Sequence, residues 1–305
     1  MRALGHAPWG LPALGAVLIA WAALNDTRLA LILAVWFGAW AVNAWLSNGA
    51  QAHRLRLLVP VIFGVTLVAL WEMAVQLYDI SFVILPAPSA IWARMMTETV
   101  TLWADFQQTI LKGALAGYLM GCGAAFAMAL AVDRSPFLQR GLLPVGNFIA
   151  ALPIVGTAPI FVMWFGFGWQ SKSAVVVAMV FFPMLVNCVQ GLKASEAMQR
   201  DLMRTYAASY GQSLVKLRLP TALPFIFNGL KICTTLALIG AIVAEFFGSP
   251  TVGMGFRIKI EMGRLAMDMV WAEIAVAALA GSLFFGIVAL IERKTTFWHP
   301  AQRRG

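Results

Sequence analysis

Apolar residues run almost unbroken by charge for about twenty positions at a time, as in Leu57 to Leu77, Thr109 to Val132 and Trp271 to Ile291. A hydrocarbon layer of about 30 Å is crossed by about 20 helical residues, so each block has the length of a membrane span. With 61% hydrophobic and 11% charged residues, against roughly 25% charged in soluble domains, the chain cannot clothe itself in polar groups. Lipid is its solvent. Blocks of sufficient length fall near 9–25, 29–46, 57–78, 109–132, 141–165, 173–192, 226–248 and 270–291. The expected fold is an all-α integral membrane protein, a polytopic bundle of about eight transmembrane helices.

The net charge of +9 does not indicate nucleic acid, because Lys and Arg are scattered through short gaps between blocks. With both termini cytoplasmic, the cytoplasmic gaps hold fourteen Lys and Arg and the opposite side seven. That excess follows the positive-inside rule. Lys231 is read at a helix start and left out of the count. Arg2, the apolar run after it and Ala20-Trp21-Ala22 imitate a cleavable signal peptide. A retained helix is the preferred reading, since a second block follows after only Asn25-Asp26-Thr27-Arg28, a hairpin turn. Cys122, Cys188 and Cys233 each lie inside an apolar block and read as small packing residues.

Three gaps are long enough to carry structure. In Asp79 to Gln108, Pro86 and Pro88 enforce an extended chain, followed from Ser89 by an interfacial helix with Ile91, Trp92 and Met95 on one face. The gap Ser249 to Met269 is external, glycine-rich early on, and carries charges of both signs. The gap Ala194 to Phe225 is cytoplasmic and polar. Its stretch from Asp201 to Pro220 predicts a short amphipathic helix with clustered Lys and Arg, then a proline stop, lying across the mouth of the bundle.

That stretch resembles the EAA motif of ATP-binding-cassette (ABC) import permeases: Glu-Ala-Ala, three residues, Gly, nine residues, then Ile-x-Leu-Pro. Asp201 stands at the Glu position, Ala207 at the Gly position and Leu217-Arg218-Leu219-Pro220 at the ending, with no insertion or deletion. The departures are Asp for Glu, Leu202-Met203 for Ala-Ala, and Ala207 for Gly, which bears on how tightly the chain turns there. Further stretches are similar to the nitrate, sulfonate, taurine and pyrimidine-precursor branch. They include Leu85-Pro86-Ala87-Pro88-Ser89, Trp164-Phe165-Gly166-Phe167-Gly168, Phe181-Phe182-Pro183 with Asn187, and Gly229-Leu230-Lys231. Together they cover about Leu57 to Trp298.

The resemblance implies a six-helix type I importer core over 51–305, with a coupling segment over 194–225 and an added transmembrane hairpin over 1–50. It implies that Asp201, Arg204, Tyr206, Ala207, Lys216, Leu217, Leu219 and Pro220 form the surface gripped by an ATPase subunit. No lysine follows a glycine, so the chain lacks a phosphate-binding P-loop; it is not itself an enzyme and needs no cofactor of its own, ATP and Mg residing on a partner ATPase dimer. The remaining implied partners are an extracytoplasmic solute-binding protein and a second permease, a homodimer before a heterodimer with a related chain. Localisation is the bacterial inner membrane.

Gly113, Gly117 and Gly121 recur every four residues and mark a face for close helix packing in lipid. Ionisable or polar groups inside the blocks are the candidates for the solute pathway: Glu245, Glu72, Asn187 and Trp164. Glu245, near the outer end of its helix, has water within reach, and Glu273 is expected at a helix start. His6, His53 and His299 show no ligand spacing, so no metal site is expected. The sequence leaves the solute open between a heterocycle, such as a pyrimidine precursor or riboflavin, and a small anion such as a sulfonate, taurine or nitrate. A secondary transporter is the competing class, but it would show paired broken helices in two halves.

Overall fold

The computed structural model describes residues 10–48, 58–135, 137–142, 146, 153–248 and 252–298. Along the chain the helices are α1 (Gly10–Asn25), α2 (Thr27–Asn48), α3 (Leu58–Leu77), α4 (Pro88–Thr97), α5 (Thr99–Arg134), α6 (Ile154–Phe165), α7 (Trp169–Lys193), α8 (Ala197–Thr205), α9 (Tyr210–Gly248), α10 (Met254–Gly263) and α11 (Met267–Thr295). Among the described residues, α2, α3, α5, α7, α9 and α11 are long and apolar enough to cross a membrane, and α1 and α6 are shorter apolar helices. The fold is an all-α polytopic membrane protein. His6, His53, His299, Arg2, Arg54, Arg56, Arg303 and Arg304 lie outside the described residues.

The chain forms two compact units. One runs to Thr97 and takes in Leu265–Ala272; the other takes Glu98–Arg264 and the chain from Glu273 onward. In the first unit the α1–α2 turn is tighter than the four residues expected, with Asp26 alone outside helix. Its Oδ1 accepts the backbone N–H of Arg28 at 2.9 Å, which starts α2. Its Oδ2 accepts the Tyr78 hydroxyl at 2.9 Å. The Tyr78 bond first, and the Arg28 N–H next, hold the Asp26 carboxyl below its ordinary range. Trp71 packs edge-on against Trp271 with ring centres 4.9 Å apart. The helix expected after Ser89 is α4, but Ile91 is buried while Trp92 is exposed, so these two do not share the packed face.

The core of the second unit is a three-helix contact of α5, α7 and α9. Ala114, Tyr118, Cys122, Ala125, Ala129 and Val132 follow helical spacing along α5 and meet Val176, Val180, Met184 and Cys188 of α7 and Cys233, Ala237 and Ala241 of α9. The three cysteines are free and buried in this core. A side chain at Gly117 would bring its Cβ to 2.8 Å from the Ser173 carbonyl, and one at Gly121 would reach 3.1 Å from the Val177 backbone. Such proximity supplies the dispersion that replaces a hydrophobic drive in lipid.

Three expectations change here. The block read as one helix over 141–165 is helical at its described residues 141, 142 and 146, but a new helix starts at Ile154, with Pro153 at its cap; it ends at Gly166, whose φ of 76° a side chain would oppose. Lys231 is inside α9 rather than at a helix start, and its Nζ pairs with Glu292 of α11 at 2.7 Å. Glu273 lies two turns into α11 and is fully buried.

Candidate functional site

The segment after α7 is a helix, a turn and the root of a second helix, rather than one helix ended by a proline. Glu196 and Gln199 form a capping box that starts α8. Arg200 fastens that start by donating to the carbonyls of Ser195, at 2.7 Å, and Lys193, at 3.3 Å. None of the α8 residues is buried. Met198, Leu202 and Tyr206, four apart and therefore on one face, are 80%, 55% and 77% exposed. Asp201 and Arg204 pair at 3.3 Å in the open, an ion pair of little energetic worth on its own.

Ala207 closes α8 in the left-handed region, at φ 51°. The N–H of Ala207 bonds the Arg204 carbonyl at 2.9 Å and that of Ala208 the Met203 carbonyl at 3.0 Å, the paired bonds of a Schellman ending. The turn at the position where the motif has glycine is thus made with an alanine, at a steric cost of about 1–2 kcal/mol. Ser209 and Gln212 then form a second capping box, and a π-helical stretch, Leu214–Arg218, leads through Pro220 into the membrane. Pro220 does not stop the helix. The wider turn before it, in which the Leu219 N–H reaches back to the Leu214 carbonyl, removes the clash a proline makes with a regular α-turn. Lys216 is exposed, Leu217 is half-buried, and Leu219 is half-buried against the core.

Arg218, the variable residue of the Leu-x-Leu-Pro ending, ties this root to two other helices. Its guanidinium grips both oxygens of Asp133, in the last turn of α5, with Nη1 at 2.7 Å from Oδ2. It also donates to the Leu192 carbonyl at the end of α7, at 3.0 and 3.1 Å. The Tyr210 hydroxyl donates to the same Asp133 at 2.7 Å, and the Arg134 guanidinium covers the Tyr210 ring at 4.3 Å. Sequence reasoning did not single out Asp133. The available signal was an acid in the last turn of a helix, where the dipole opposes it unless a cation answers.

At the other end of α9 a buried polar knot closes the bundle. Glu245 is 1% exposed; it accepts the Thr109 hydroxyl at 2.8 and 3.0 Å and the Gly255 N–H at 2.9 Å. Asp105 accepts the Gly253 N–H at 2.6 Å and Arg257 Nε at 2.9 Å. Lys172, fully buried, donates to the carbonyls of Phe167 and Gly248. Gly253 has φ 134°, and a Cβ there would fall 2.6 Å from the Glu245 carboxyl carbon. The reading in which Glu245 turns to water is replaced by one in which it holds the segment after α9 against α5.

The sequence profile described as "binding-protein-dependent transport system inner membrane component" matches residues 113–297, which include α7, the segment 194–225, α9 and, of the knot, Lys172, Glu245, Gly253, Gly255 and Arg257. The chain belongs to this family. A probable ABC transporter permease protein of Haemophilus influenzae is 32% identical over 244 residues, 79% of this permease and 98% of that chain. A formylaminopyrimidine transport permease protein of Halalkalibacterium halodurans is 30% identical over 249 residues, 80% and 97% of the two chains. A taurine transport system permease protein of Escherichia coli is 28% identical over 243 residues, 76% and 86%.

The remaining candidate residues of the permease are dispersed. Glu72 of α3 accepts the N–H and hydroxyl of Ser89 at 2.9 and 2.7 Å and so caps α4. Trp164 is exposed on α6, edge-on to Phe161. Asn187 of α7 donates to the Pro183 carbonyl at 2.8 Å and accepts Asn228 Nδ2 of α9 at 3.1 Å. Among the described residues no cluster of His, Cys, Asp and Glu could hold a metal ion.

Proposed function

We propose that this permease is the membrane-spanning subunit of an importer that receives a small organic solute from an extracytoplasmic binding protein and passes it to the cytoplasm, driven by a separate ATPase dimer carrying ATP and Mg. Two copies of the permease form the transport unit, with both termini cytoplasmic. The helix pair α1–α2 is an addition to the six-helix core. The observation that carries this reading is α8: a short helix with no buried residue, an apolar stripe of Met198, Leu202 and Tyr206 left open, and a rigid root. An uncovered stripe of that kind is the half of an interface that fills a groove on another protein.

Closure of two ATPase subunits draws the two α8 helices together. Because Arg218 binds the segment to the ends of α5 and α7 at once, the displacement enters the three-helix core as a rigid-body motion. The solute reading favours an uncharged heterocycle over a naked anion, since Lys231, the one lysine of α9 beyond Pro220, is already paired with Glu292. The test is purification with the candidate ATPase: wild type retains it and shows vanadate-sensitive uptake, whereas Asp201→Ala and Arg204→Ala insert normally but lose assembly or coupling. Normal uptake in both variants removes the docking role. Uptake abolished by a protonophore yet indifferent to ATP depletion replaces the importer with a secondary carrier.

A further inference from the structure

One outward face of α9 differs from a lipid face. Phe225, Asn228, Ile232, Thr235 and Ile239 are all exposed and follow one another at spacings of three and four residues, a single stripe along the helix. It extends over about 21 Å, two thirds of a ~30 Å hydrocarbon layer. Leu279, Leu283, Ile287 and Leu290 of α11, also exposed and spaced by three and four residues, form a stripe that is by contrast wholly apolar. On the α9 stripe Asn228 donates to Asn187 of α7, which is itself bonded to the Pro183 carbonyl, while the Asn228 carbonyl oxygen accepts no hydrogen bond from the described residues. The pair is held firmly: a Cβ at neighbouring Gly229 would fall 2.9 Å from Asn187 Cβ and 3.0 Å from Met184 Sδ. An exposed amide acceptor within hydrocarbon would go unsatisfied at a cost of several kcal/mol.

We propose that this stripe is a wall of the solute pathway, and that the Asn187–Asn228 amide pair is a binding element for an uncharged, planar solute group bearing N–H donors, with Phe225 one turn away to face its ring. The assignment rests on the importer reading and deepens it. No ionisable side chain lies on the stripe, so nothing there compensates a naked anion; an aminopyrimidine-type edge matches the free acceptor.

Replacing Asn228 with cysteine and labelling the reconstituted permease–ATPase complex with a membrane-impermeant methanethiosulfonate tests the wall. The native cysteines are buried and wild type gives the background. Asn228→Cys should label about tenfold or more faster than Leu283→Cys on α11, because only a hydrated thiol ionises and reacts, and vanadate trapping should change its rate. Equal, slow labelling of both positions in both states overturns the wall, as does a quantitative disulfide between the two Asn228→Cys copies that is indifferent to nucleotide. Millimolar 4-aminopyrimidine should protect Ile232→Cys, one turn along the stripe with both amides intact, and adding Asn228→Ala should abolish that protection; protection by taurine alone, or by neither, overturns the ligand class. Retention of the ATPase is scored on the same preparation, so loss of the importer reading is seen separately from loss of the stripe.

Discussion

Arg218 holds Asp133 with both arms of its guanidinium while it also donates to the Leu192 carbonyl near the end of α7, so one side chain fixes the segment before α9 to two membrane helices. Both side chains are largely shielded, at 15% and 7% exposure. Removing either partner strands the other, at a cost of about 3 kcal/mol or somewhat more for a pair this shielded. Arg218→Ala and Asp133→Ala should each destabilise the permease by that order in detergent melts, and the double variant should cost less than their sum. Strict additivity would show that the two groups do not interact. In the assembled importer, Asp133→Asn should keep ATP hydrolysis while lowering uptake, the signature of a loosened joint.

The left-handed Ala207 gives a prediction of opposite sign. Ala207→Gly relieves the turn and should raise stability by about 1 kcal/mol, whereas Ala207→Val should lower it, since a β-branched side chain tolerates φ 51° worse. Thermal melts of the two variants against wild type measure it; a destabilising glycine would contradict the turn.

Along α5 the glycines are not equivalent. Gly121→Leu should abolish accumulation of folded permease, because even a Cβ collides with α7, while Gly123→Leu, which meets nothing within 4 Å, should be tolerated. Comparable loss in both would mean that helix propensity, rather than packing, is being read.

For Glu245 the expectation is structural. Glu245→Ala leaves the Thr109 hydroxyl and the Gly255 N–H without their acceptor and should destabilise by about 1–3 kcal/mol; Glu245→Gln, which keeps an acceptor oxygen, should cost less. Unchanged melting together with altered solute selectivity in Glu245→Ala would place this carboxylate in the pathway instead.

Orientation is read with reporters: one fused after Lys193 should behave as cytoplasmic and one near Met254 as external. The reverse pattern inverts the whole assignment.

What the sequence made legible is what depends on period and length. The span-length blocks that became α2, α3, α5, α7, α9 and α11, the α1–α2 hairpin and α4 after the double proline all follow from apolar runs and fixed spacings. What it hid depends on long-range partners. Asp133 lies 77 residues from Tyr210 and 85 from Arg218 in the chain, and only the folded helix ends bring it to them. The π-helical stretches that carry Thr109 to Glu245 and let Pro220 pass have no period of their own in the sequence. Glu245 near a helix end was compatible with water until the chain after α9 folded back over it.

The unbroken course of α9 through Pro220 has a consequence for how the two faces of the membrane communicate. Its thirty-nine residues, π-helical over Leu214–Arg218 and α-helical beyond, span at most about 58 Å and are anchored near the base by Arg218 and at the tip by Glu245 and the Gly248 carbonyl. In the proposed importer, a tilt imposed at the base is carried along one continuous helix to the tip, so the inner and outer doorways would answer to each other.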